Sequence, residues 1–186
     1  MRLCFMETKP SKTYGYYVRY GQTLGAVQGV GYVNELLARL TGTPVRDNTQ
    51  TNRTLDASPI TFPLDRSLYV DFSHDNQMIA IYTAIGLFNQ SLPLDPSFPN
   101  PERTWVTSLL TPFSGRMVTE RLSCESKTVR GRPKARTLVR ILVNDAVQPL
   151  LFCNGDKDGM CTLDAFVDSQ AYSRHDGEGD FEKCFS

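Results

Sequence analysis

Apolar residues Val30, Val33, Leu36, Leu37 and Leu40 recur every three or four positions, which puts them on one face of a helix from about 27 to 41. Glu35 and Arg39 sit four apart on that helix, and Gly42 stands where a left-handed residue would end it. A second pattern, Met78, Ile79, Ile81, Tyr82, Ile85 and Phe88, is apolar over most of its circumference and predicts a buried helix. Between the two, 43–63 is polar and rich in Pro and Thr and reads as a connection. The β-prone run 68–72 predicts a strand that leads at once into the second helix. Four prolines in 92–101 mark a surface loop. Further strands are expected at 116–122, 138–143 and 147–151, with Asn144-Asp145 as a hairpin turn. A short helix from 163 to about 171 and a Gly-rich tail follow. Residues 1–25 hold Tyr14, Tyr16, Tyr17 and Tyr20 without a clean period. The pattern is mixed α/β with no internal repeat.

Composition narrows the function classes. A chain of 186 residues can bury one core, so a single domain is the default. Twenty basic and twenty acidic residues balance, which removes the electrostatic footprint expected of a nucleic-acid binder. No apolar run reaches the roughly 18 residues of a membrane span, and the N-terminal apolar stretch is too short for a secretory signal.

The cysteines point toward an oxidising compartment. There are five, at 4, 124, 153, 161 and 184, with no C-x-x-C pair of the zinc or redox kind. Cys153 and Cys161 bracket a polar turn, a natural small loop to close with a disulfide. The odd count leaves at least one cysteine without an internal partner. Sequons at Asn52-Arg53-Thr54 and Asn89-Gln90-Ser91 make Asn52 and Asn89 glycosylation candidates.

The chemistry concentrates at His74, Asp75 and Asn76, where the expected strand meets the buried helix. Free N–H groups and the helix dipole favour anions at such a junction. The alternative is helix capping by Ser73, Asp75 or Asn76, and the residues alone leave both readings open. A second pair, His175-Asp176, lies in a Gly- and charge-rich segment and reads as a solvated loop. Cys124 to Arg130 has the C-x5-R spacing of thiol phosphatases, but the intervening residues include Glu125 and no glycine to wrap a phosphate. Asn154-x-Asp156-x-Asp158-Gly159 imitates the start of a calcium loop, yet its twelfth position is Ala165 where a bidentate Glu is required. No P-loop, dinucleotide fingerprint or G-x-S-x-G is present, so no cofactor or metal is expected.

Two long stretches, Gln28-Gly29-Val30-Gly31-Tyr32-Val33-Asn34-Glu35-Leu36-Leu37-Ala38-Arg39-Leu40-Thr41 and Thr54-Leu55-Asp56-Ala57-Ser58-Pro59-Ile60-Thr61-Phe62-Pro63-Leu64, resemble the fungal histidine acid phosphatases, the branch that includes phytases. Residues 68–76 resemble that family's second signature. Residues 139–145 and the closing Cys161, Phe166 and Cys184-Phe185 also fit. The resemblance runs from about Leu24 to the end, with 1–24 poorly matched and 127–136 resembling a loop insertion. It covers a C-terminal portion of a family member, one partial domain over 1–186. The fold it implies is α/β, of the phosphoglycerate-mutase-like histidine phosphatase type, with a central mixed sheet flanked by helices.

The resemblance implies a two-part mechanism without a metal or cofactor. An R-H-G-x-R-x-P motif supplies a nucleophilic histidine and a phosphate clamp. The second signature supplies His74 to hold the phosphate and Asp75 to protonate the leaving alcohol, with Asn76 touching substrate. No R-H-G occurs among the 186 residues. By resemblance, Cys153 and Cys161 form the local disulfide, while Cys124 and Cys184 would have partners upstream of this chain. The partners expected are small phosphate esters, phytate among them, with no nucleic acid and no membrane, and the parent would be secreted. The alternative is an inactive fragment or a phosphate-binding or interaction module.

Overall fold

The computed structural model describes residues 24–89, 98, 100–127 and 133–185. The contacts cluster into two units, one within Met1–Phe113 together with Tyr172–Ser186, the other Ser114–Ala171. The α/β class expected from the sequence is the one observed.

The first unit is built on two helices. A 3-10 turn, Val27–Gly29, runs into α1 (Val30–Thr41), which ends at left-handed Gly42, whose N–H donates to the Ala38 carbonyl at 2.8 Å. The short α2 (Arg53–Asp56) lies inside the stretch expected to be plain connection. It forms because the Asn52 side chain caps it, accepting the N–H groups of Thr54 and Leu55. Helix α3 (Asp75–Ile85) follows, and α4 (Thr107–Leu110) is a single turn. The apolar faces read from the sequence are the buried ones: Val30, Val33, Leu36, Leu37 and Leu40 on α1, and Ile79, Ile81, Tyr82 and Ile85 on α3.

Gly29 is what lets the 3-10 turn lie against α3. A Cβ there would stand 2.5 Å from the Ala80 carbonyl oxygen and 2.8 Å from the Ala84 Cβ. The glycine spacing at 28–31 thus serves helix packing. Tyr82, Phe88 and Trp105 continue the core through edge-to-face contacts, with centroids 5.5 and 6.4 Å apart. Buried Asn34 donates to Asp47 Oδ1 at 2.8 Å and to the Ser173 carbonyl at 2.9 Å, tying α1 to the 44–51 stretch and to the C-terminal segment. Asp47 in turn accepts the Thr49 and Thr51 N–H groups.

The second unit is a four-stranded antiparallel sheet. Strand β1 (Met117–Lys127) pairs with β2 (Pro133–Val143) from Met117 opposite Val143 to Lys127 opposite Pro133. The expected insertion loop 127–136 is therefore strand at both of its flanks, because the ladder satisfies the backbone there; 128–132 lie outside the described residues. The Asn144-Asp145 turn forms as expected, with both residues at positive φ, 50° and 68°. The strand expected at 147–151 shrinks to β3 (Ala146–Val147), and the chain then winds into a 3-10 turn, Leu151–Cys153. Strand β4 (Met160–Thr162) lies along the same edge of β2 as β3, next to the α5 helix (Leu163–Ser169) capped by Thr162. Val139, Ile141, Val143 and Phe166 fill the core of this unit. The single helix expected to about 171 is interrupted at Gln170, and α6 (Ala171–Arg174) follows.

Cys153 and Cys161 are joined by a disulfide with Cα atoms 6.0 Å apart, as the resemblance implied. Cys184 is also disulfide-bonded, and Cys124 is free. No helix among the described residues is long and apolar enough to cross a membrane.

Candidate functional site

The expected strand at 68–72 is an extended segment that pairs with no strand among the described residues. Its alternation is real: Leu68, Val70 and Phe72 are 77, 65 and 97% exposed, while Tyr69 faces the protein. A strand is defined by a neighbour, and the residue pattern supplies only one side of the ladder.

What holds the segment is Arg39, from the last turn of α1. Its guanidinium makes a two-pronged ion pair with Asp71, Nη1 to Oδ2 and Nη2 to Oδ1, the second at 3.2 Å. Its Cζ lies 4.8 Å from the Phe62 ring centroid and 5.1 Å from that of Tyr69. The sequence pairs Arg39 with Glu35 on the helix face, but its ion pair is with Asp71, 32 residues away. Glu35 is left among acids. Burial pushes its carboxyl up to about 7, Asp56 pushes the same way, and Arg39 opposes them. Tyr32 is held at about 12, by burial first and then by Asp71.

His74, Asp75 and Asn76 then open α3. His74 is the residue at the cap position, in extended conformation, and its side chain makes no capping hydrogen bond. Its carbonyl accepts the Met78 N–H at 2.9 Å, so the first helical turn starts from it. Asp75 Oδ1 accepts the Asn76 N–H at 2.8 Å, and Asn76 Oδ1 accepts the Gln77 N–H at 2.9 Å. The capping and functional readings thus divide between residues: Asp75 and Asn76 serve the first-turn amides, while the imidazole does not. Both His74 and Asp75 are exposed. An imidazole and a carboxyl on adjacent residues at a helix N-terminus can hold an anion and deliver a proton to it.

Other candidates sort by geometry. Cys124 and Glu125 lie on β1, with Cys124 opposite Arg136, so this cysteine sits in extended strand where a phosphate-cradling loop would be needed. Arg130 lies outside the described residues. Asp156 Oδ1 accepts the N–H groups of Asp158 and Met160, which closes the 154–159 turn on itself. The solvated-loop reading of His175-Asp176 needs correcting at its second residue. Asp176 accepts both the backbone N–H and the side-chain amide of Asn48, at 2.9 and 2.6 Å. That contact spans 128 residues, and no local pattern announces it. Asn52 and Asn89 are both exposed.

The fold is α/β, and a His-Asp-Asn run opens its buried α3 helix. The chain belongs to the histidine phosphatase superfamily (branch 2), whose sequence model matches residues 8–144. It is 46% identical to Phytase A of Emericella nidulans over 179 residues, 95% of this chain and 36% of the relative. Phytase A of Aspergillus terreus is 44% identical over 94% of this chain, and Phytase A of Penicillium oxalicum is 44% identical over 93%. In each case this chain spans 36% of the relative's length.

Proposed function

We propose that the chain carries the phosphate-holding and proton-donating half of a phosphomonoester hydrolase site, with phytate among its substrates. His74 holds the phosphoryl oxygens, Asp75 protonates the departing alkoxide, and Asn76 contacts substrate. The observation that carries this reading is the exposed His74-Asp75 pair at the N-terminus of α3, in a chain of this family. An alkoxide is a poor leaving group, and a positioned acid speeds its departure by roughly 10²–10⁴-fold. A cationic imidazole beside the phosphoryl oxygens stabilises the charge that develops on them. The nucleophile and arginine clamp belong to an R-H-G-x-R-x-P motif that the 186 residues do not contain. In this reading they come from further chain of the same domain. The exposed Leu68, Val70 and Phe72 support that, since they form a row of large apolar side chains that nothing among the described residues covers. The disulfide and the exposed sequon asparagines suit a secreted parent.

The missing motif favours a second reading, in which these residues bind phosphate without turning it over. One titration and one assay separate the two. Inorganic phosphate added to the 13C-labelled chain moves the His74 imidazole resonances in both readings, and silence there refutes both. Hydrolysis of an alkyl phosphate monoester near pH 3–6, by these residues joined to a family member's R-H-G-x-R-x-P portion and lost in Asp75→Asn, establishes the hydrolase reading. Binding without turnover leaves the phosphate-binding module.

A further inference from the structure

Residues 74–76 are bracketed by two anchors, and both reach the same helical stretch. Upstream, Asp71 is gripped by Arg39 near the end of α1. Downstream, the Gln77 side-chain amide donates to the Gln28 carbonyl at 2.9 Å, in the 3-10 turn that begins that stretch. The outer side chains of the segment, Leu68, Val70 and Phe72, touch little, so its hold on the unit runs through Tyr69 and Asp71. Arg39 is well suited to set an orientation. Its side chain is only 14% exposed, flanked by two aromatic rings, and rooted in a helix whose apolar face is core. A planar guanidinium on a carboxylate fixes direction as well as distance. Asp71 lies three residues before His74, about 10 Å of extended chain, so a slip or rotation at Asp71 is carried to the imidazole.

We propose that Arg39 and Asp71 are the positioning pair of this site: they touch no substrate but set the place and angle from which His74 and Asp75 act. The proposal rests on the functional reading above, because it concerns the same two residues. It goes beyond that reading by giving a role to a salt bridge that otherwise serves only stability.

Asp71→Asn is the diagnostic substitution. Its side chain is 40% exposed and nearly isosteric, so folding survives. Removing a negative charge near an anion site strengthens phosphate binding by simple electrostatics, whereas loss of positioning weakens it. We expect the apparent affinity for inorganic phosphate, read from the His74 resonances of the full 186-residue chain, to fall about tenfold. The amide resonances of 74–76 should shift or broaden while those around the Cys153 to Cys161 disulfide stay in place. Arg39→Lys, which keeps the charge but loses the fork, should fall between wild type and Asp71→Asn. Exchanging the two residues, Arg39→Asp with Asp71→Arg, should recover part of the loss. Unchanged 74–76 amides together with equal or tighter phosphate binding in Asp71→Asn would overturn the proposal. A wild-type chain that shows no phosphate response refutes the functional reading instead, and the amide resonances still decide whether the pair orders the junction.

Discussion

Glu35 gives the sharpest test of the electrostatics around α1. Its carboxyl is raised from 4.5 to about 7, first by burial and then by Asp56, against the pull of Arg39. A carboxyl raised on folding contributes most below its unfolded value, and that contribution is lost as pH climbs through the folded one. Between about pH 4.5 and 7 the chain must therefore either protonate Glu35 or hold an unfavourable carboxylate. At about 1.4 kcal/mol per pH unit, the displacement caps the penalty at ~3 kcal/mol. The side chain is only partly buried, and solvent screening reduces this to ~1–2 kcal/mol. Glu35→Gln removes the titration while keeping the shape. Trp105, the only tryptophan, is 3% exposed in the same unit, so its fluorescence reports the unfolding of that unit in urea. At pH 4 wild type and variant should unfold at nearly the same urea concentration; at pH 8 the variant should be more stable by ~1–2 kcal/mol. A stability difference that is the same at both pH values, or a variant less stable at pH 8, would refute the reasoning.

Asp47 should behave in the opposite sense. Burial alone would raise its carboxyl, but hydrogen bonds from Asn34, Thr51 and Thr49 outweigh that and hold it below the usual range. Its contribution is therefore present above about pH 4 and lost as pH falls further; Asp47→Asn should cost about 2 kcal/mol at pH 7 and little at pH 2, read by urea midpoints. Gly29→Ala forces a Cβ onto the α3 backbone and should destabilise the first unit by ~1–3 kcal/mol, a loss that Trp105 fluorescence would register and whose absence would contradict the close approach. Replacing Cys153 and Cys161 together by serine opens a loop of separation 8, worth about 2.5 kcal/mol in the chain-entropy account; calorimetry showing no fall in the melting temperature would count against it.

The two main helices were legible because burial of one face imposes a period that residue identity alone displays. The Asn144-Asp145 hairpin was legible for a similar reason, since two residues that tolerate positive φ side by side leave few alternatives. His74, Asp75 and Asn76 could be placed at a helix start from their order alone. The short α2 was missed because it depends on one cap and buries nothing of its own. The strand at 68–72 failed for a different reason: alternation says which side chains share a face but not whether another backbone lies alongside.

Long-range partners mark the limit most clearly. Sequence by itself determined the helix faces, the turn, the disulfide loop and the residues that open α3, all of them set by interactions within a few positions along the chain. Tertiary structure alone decided that Arg39 leaves its helical neighbour Glu35 for Asp71, that Asp176 binds Asn48, and that Asn34 joins Asp47 to the C-terminal segment. Charges and hydrogen-bonding groups are selective about distance and angle but nearly indifferent to sequence separation. Only the folded backbone can say which of them meet.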